Sequence, residues 1–125
     1  LEQNDTKELL FNSITLIGRA GSDTEIKYFD DGKAKAHVSI AVNRIRAKGS
    51  EDITDWFRVE FWGRDAEIAA EYVKKGTLIA IDGRLNHNRW IDRTSGQQRQ
   101  MYSVSCNSFR LLGSRRENQE YASNM

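Results

Sequence analysis

Eight consecutive residues, Asp55-Trp56-Phe57-Arg58-Val59-Glu60-Phe61-Trp62, carry two indoles and a guanidinium at even-numbered positions. On an extended chain successive side chains point to opposite faces. Phe57, Val59 and Phe61 therefore make an ordinary core face, while Trp56, Arg58, Glu60 and Trp62 fall on the side left to water. Large aromatics on a wet face require a reason. Stacking supplies one: an unpaired base can lie on an indole for roughly 1 to 3 kcal/mol, with a nearby cation holding its phosphate. Covering a loop or a subunit interface is the competing use of exposed Trp, and these eight residues leave both open. Trp90 shifts the balance. It shares strand parity with Arg84, Asn86 and Asn88 and precedes a basic hairpin, which puts a third indole on a polar, cationic face.

Other chemistry finds little material. His37, His87 and a lone Cys106 make no metal set and no Cys/His nucleophile, so neither metal nor cofactor is expected. Asp30-Asp31 and Glu51-Asp52 lie in turn-like stretches and read as solvated surface, and no phosphate loop or dinucleotide fingerprint is present. The expectation is a binding module, not an enzyme. Nineteen Lys and Arg against eighteen Asp and Glu give a net charge of only +1, so the distribution carries the information. Arg44, Arg46 and Lys48 crowd one loop, and Arg84, Arg89, Arg93 and Arg99 face a single Asp92 in a second basic stretch. One Cys excludes an intramolecular disulfide, and no apolar run approaches a membrane span. The polar start Leu1-Glu2-Gln3-Asn4-Asp5 reads as neither signal nor transit peptide. A bacterial cytoplasm is expected, with an organelle after processing as the alternative.

Alternation with period two dominates the elements that must hold these residues. A first strand runs from Phe11 to Arg19. A second passes Ile26 to Phe29, turns at Asp30-Asp31-Gly32 and continues from Lys33 to Asn43, with Ala34, Ala36, Val38, Ile40 and Val42 on one face. A polar loop over 44–54 leads to a third strand, Asp55 to Trp62. The period then changes: Ala66, Ala69, Ala70 and Val73 predict a helix over Asp65 to Lys75, capped by Asp65 and stopped at Gly76. Two strands follow, 78–90 and 101–112, with a bend at Gly83, a hairpin around Ser95-Gly96 and a bulge near Asn107-Ser108. Residues 1–10 read as a flexible arm, 11–113 as the domain and 114–125 as a flexible tail. The fold class is all-β with one short helix. Three strands, a helix and two strands is the order of the five-stranded OB-fold barrel, helix between strands three and four.

Several stretches in this order resemble the bacterial and mitochondrial single-stranded-DNA-binding proteins. They are Asn12-Ser13-Ile14-Thr15-Leu16-Ile17-Gly18-Arg19, Glu25-Ile26-Lys27-Tyr28, the strand from Asp55 to Val59, and Phe61-Trp62-Gly63-Arg64. Ala66-Glu67-Ile68-Ala69, Tyr72-Val73-Lys74-Lys75-Gly76, Gly83-Arg84-Leu85 and Arg89-Trp90 complete the set, across residues 11–113. The resemblance implies a homotetramer of OB folds that wraps and shields single-stranded DNA in replication, recombination and repair. It also implies that Trp56, Trp62 and Trp90 are stacking aromatics, with Arg58, Arg84, Arg89, Lys74, Lys75 and Lys27 beside the DNA path. For Lys74 and Lys75 a solvated helix end is an equal reading, and for Tyr28 a packing role is.

The sequence departs from the family in places. Asp23-Thr24 replaces the usual Asp-Pro turn, and Ile45-Arg46 stands where another stacking aromatic is common, so Arg46 offers charge instead. Phe57 replaces a common His in a region of subunit contacts. Glu60 sets an acid between two indoles, either paired with Arg58 or Arg84 or weakening binding locally. No acidic, hydrophobic tip of the kind that recruits replication and repair proteins is read before Met125. An OB-fold adaptor or an RNA-binding module of a replication complex is the alternative, since stacking and phosphate contacts do not select against a 2′-OH.

Overall fold

The computed structural model describes residues 10–45 and 47–125. Its elements are β1 (Ile14–Ala20), β2 (Glu25–Tyr28), β3 (Ala34–Arg44), β4 (Ile53–Trp62), α1 (Arg64–Tyr72), β5 (Leu78–Ile91), β6 (Gln98–Leu112) and α2 (Arg115–Ser123). One antiparallel edge of β3 is taken by β4 along its length. The other edge is shared by β2, against Ala34–His37, and the end of β1, against Ile40 and Ala41. β1 then pairs with β5, β5 with β6, and β6 returns to β4 in a short parallel pairing of Val59 with Val104 and Glu60 with Ser105. Five strands thus close the expected ring, and β2 is a short flap hydrogen-bonded outside it.

The stretch expected as one turning strand is a true hairpin. The Phe29 amide donates to the Lys33 carbonyl at 2.8 Å, and Gly32 supplies the left-handed turn position at φ 85°. Alternation sends Val38, Ile40, Val59, Phe61, Ile79, Ile81 and Val104 inward, each essentially without solvent contact. α1 closes one end of the barrel with Ala66 and Ala69. The bulge falls where alternation breaks: Asp82 pairs with Ser108 and Gly83 with Cys106, leaving Asn107 as the extra residue.

Two helix expectations are corrected. α1 begins after Gly63 with no side-chain cap, so Asp65 lies in the first turn, where its charge favours the helix dipole without capping it. It also ends three residues early. Val73 turns extended because its carbonyl is taken by Thr24, from the amide at 3.1 Å and the hydroxyl at 2.8 Å, so Lys74 and Lys75 stand beyond the helix.

The segment read as a tail contains α2, over Arg115–Ser123. Ser114 caps it by accepting from the Glu117 amide at 3.0 Å. Asn118 docks it to the barrel: its Oδ1 accepts from Arg19 at 3.1 Å and from the Leu78 amide at 3.3 Å, and its Nδ2 donates to the Leu112 carbonyl. The Arg19 guanidinium lies 4.1 Å from the centre of the Tyr121 ring. Gly76 makes room, since a Cβ there would lie 2.7 Å from that of Ala122, and its φ of 89° disfavours any side chain. Gly76→Ala is expected to lose about 1 to 2 kcal/mol from backbone strain alone, with more from displacing α2. Urea denaturation measures it, and an unchanged midpoint would show that this contact does not hold the helix. The arm expected over residues 1–10 lies, except for Leu10, outside the described residues.

Candidate nucleic-acid interface

Register decides which side chains share a surface. Across the sheet Lys27, Lys35 and Trp62 form one row, and Glu25, His37 and Glu60 the next. The latter row continues through Ser105 of β6 to Arg84 of β5. Ser39 with Arg58, and Ala41 with Trp56, complete the β3–β4 part of the face. On β5 and β6 the same parity carries Arg84, Asn86, Asn88 and Trp90 opposite Ser105, Ser103, Met101 and Arg99. Trp56, Trp62 and Trp90 are thus on one outer face, with 58, 50 and 47 % of their surface open to solvent.

Local contacts hold each indole differently. Trp56 packs its ring edge on Gly21, where a Cβ would meet the indole at 2.5 Å. The Gly21 amide donates to the Ser39 carbonyl at 2.9 Å, so the turn after β1 buttresses this indole. Trp62 has the Lys35 ammonium 4.8 Å from its ring centre. Trp90 stands opposite Arg99 at the base of the β5–β6 hairpin. Asp92 ties that hairpin, accepting from the amides of Thr94 at 2.8 Å and Ser95 at 3.2 Å and facing Arg99 Nε at 3.5 Å. Those backbone donors, more than Arg99, hold its carboxyl below the usual carboxylate range.

Between the plots of aromatic surface the face is polar. Asn86 donates to Ser105 Oγ and Asn88 to Ser103 Oγ, so these amides are braced along β6. At the far end of β3 and β4, Arg44 grips Asp55 with two hydrogen bonds of 2.8 and 3.0 Å. This pairing raises the guanidinium and lowers the carboxyl pKa, both chiefly through the hydrogen bond. Glu60 pairs with Arg58 at 3.4 Å and with Lys35 at 3.3 Å, whereas Arg84 lies beyond Ser105 in the same row.

The candidates read from the sequence divide accordingly. Trp56, Trp62, Trp90, Arg58, Arg84 and Lys27 share the face. Arg89 does not: it has the opposite parity and donates to His87 Nδ1, whose ring stacks on Tyr102 at 4.4 Å. Neighbours on a strand point apart, so Arg89 and Trp90 face opposite sides of β5. Lys74 and Lys75 sit off the sheet, at the end of α1. The Lys74 ammonium donates to the Ala70 carbonyl, and the Lys75 amide donates to Asp23 Oδ1 at 2.9 Å. The turn 21–24 that touches Trp56 also touches this lysine pair. Arg46 lies outside the described residues. Lys35 and His37 join the site although not singled out; their shared parity on β3 was the available signal.

Among the described residues no three His, Cys, Asp or Glu cluster to hold a metal ion. The Cys106 thiol is pushed up to about 12 by burial, helped by Asp65 and Asp82, which leaves it protonated and unreactive at neutral pH. Among the described residues no helix is long and apolar enough to cross a membrane.

Residues 11–112 match the sequence model of the Single-strand binding protein family. The chain belongs to that family. A Synechocystis sp. relative, Single-stranded DNA-binding protein 1, is 49 % identical over 113 residues, spanning 90 % of this chain and 93 % of the relative. The Single-stranded DNA-binding protein of Thermosynechococcus vestitus is 41 % identical over 106 residues, or 85 and 86 % of the two chains. Among solved structures, a Plasmodium falciparum SSB in complex with ssDNA superposes with a TM-score of 0.76 at 27 % identity. That match covers 86 % of this chain and all of the other.

Proposed function

We propose that this protein binds and protects single-stranded DNA with little base preference during replication, recombination and repair. Bases stack on Trp56, Trp62 and Trp90 while Lys27, Lys35, Arg58 and Arg84 meet the phosphates. The observation that carries the reading is the shared face. Three half-exposed indoles stand on one side of a closed barrel, interleaved with cations and braced amides. Indoles stack on any base, so selectivity is for unpaired strands and not for sequence. A duplex hides its base faces and loses this contribution. Lys74 and Lys75 extend the path past the turn at 21–24, and Arg89 lies off it. The names of the relatives and of the structural neighbour support the same ligand.

The chain works as a homotetramer in a bacterial cytoplasm, on this reading, with no catalytic step of its own. Residues 11–113 form the binding domain, and α2 is an addition docked on its side. A monomeric mass by sedimentation at micromolar concentration would contradict the tetramer.

Tryptophan fluorescence titrated with oligo(dT) at low and high salt, beside a duplex control, tests the function. Saturable quenching by oligo(dT), weakening with salt, and a weak duplex response are expected. No quenching at low salt would favour an adaptor that keeps the fold without the ligand. Equal quenching by oligo(U) would extend the ligand to RNA.

A further inference from the structure

Glu60 is the only charged side chain among the described residues that is buried, at 8 % exposure, and it is buried in the middle of the indole face. Burying a carboxylate is costly unless cations and hydrogen bonds meet it. One oxygen, Oε2, meets two: Lys35 Nζ at 3.3 Å and Arg58 Nε at 3.4 Å. Its register neighbours are His37 and Ser105, and His37 is itself held by Glu25 at 3.1 Å. Lys35 is also the cation on the ring of Trp62. Lys35 and Arg58 therefore share one compensating carboxylate within the protein. Together with Glu60 they amount to one positive charge, whereas Arg84, in the same row, has no carboxylate partner among the described residues.

We propose that Glu60 is an affinity-setting residue, a built-in counter-ion that makes Lys35 and Arg58 count as one cation towards DNA. The inference rests on the reading of this face as the single-stranded-DNA site. A phosphate that takes Lys35 or Arg58 must displace the Glu60 carboxylate. The freed carboxylate then draws a cation from solution, which cancels one of the ions released from the DNA. For single strands each neutralised phosphate steepens the fall of log K with log salt by about 0.7. Neutralising Glu60 restores one such contribution.

The test titrates wild type and Glu60→Gln with oligo(dT) across a tenfold range of sodium chloride. Glu60→Gln should bind more tightly at low salt with a slope steeper by about 0.7, so its advantage shrinks about fivefold across that range. Glu60→Met removes the charge without leaving an acceptor, should steepen the slope equally, and carries the test if the Gln variant does not fold. Glu120→Gln makes the same change in net charge on α2, beside Arg116, and should leave the slope at the wild-type value. An unchanged or shallower slope, or weaker binding, in the folded Glu60 variant overturns the proposal. So does an equal steepening in Glu120→Gln, which would make the effect one of overall charge. A normal wild-type response with an unchanged variant slope removes only the role of Glu60; no wild-type response to oligo(dT) removes the ligand reading and this proposal together.

Discussion

Trp56→Ala should weaken oligo(dT) binding by about 1 to 3 kcal/mol, or roughly fivefold to 150-fold in Kd. The indole stands on the outer face of β4 with more than half its surface open, propped edge-on by Gly21. That position is pre-organised, so a base that lands on the ring pays little to order it. The substitution leaves the inner face of β4 untouched, where Val59 and Phe61 are fully buried. Melting temperature should therefore change far less than affinity. Fluorescence anisotropy of labelled oligo(dT) measures the loss at fixed salt, and unchanged binding would remove Trp56 from the site.

Phe61→Ala should do the reverse. Phe61 is completely buried beside Trp62 in sequence but on the opposite side of the strand, with its ring edge-on to Phe109 at 5.1 Å and 71°. Truncating a buried Phe costs about 3 to 5 kcal/mol through lost transfer energy and the cavity left behind. That is a large share of the roughly 5 to 15 kcal/mol that holds an ordinary domain together. Urea denaturation reads it directly; a loss below about 1 kcal/mol would mean that the core collapses to fill the gap. Protein that remains folded should bind oligo(dT) with near wild-type affinity. Positions 56 and 61 would then separate binding from folding along one strand.

Most of the framework was legible because it depends on alternation. Phe57, Val59 and Phe61 against Trp56, Arg58 and Trp62 needed only the period of a strand, and the slip of parity at Asn107 announced the bulge. What failed depended on contacts between distant segments. Nothing near Val73 says that Thr24 will take its carbonyl and end α1 there. Nothing near Glu60 says that Lys35, one strand away, will share its oxygen with Arg58. α2 is a middle case. Its polar composition resembles a tail and its docking on Gly76 is tertiary, yet Ser114 followed three residues later by Glu117 is a capping signature that was there to be read. Arg89, suggested by the family resemblance, stands on the opposite side of β5 from Trp90, because neighbours on a strand point apart.

The ring closes through very few hydrogen bonds. β4 meets β6 at two register pairs and β1 meets β3 at two, while the other pairings run the length of their strands. In mechanical terms the barrel is two stiff plates, one of β2, β3 and β4 and one of β1, β5 and β6, fastened at two short seams. Trp56 and Trp62 ride on the first plate and Trp90 on the second. Trp56 and Trp62 share one strand, whereas Trp90 is reached from them across the short β4–β6 seam. A strand stacked on both plates, as proposed above, would bridge the seam between β4 and β6 from outside, so that ligand and barrel closure would reinforce one another. Bound DNA would then be a third fastening of the barrel as well as its cargo.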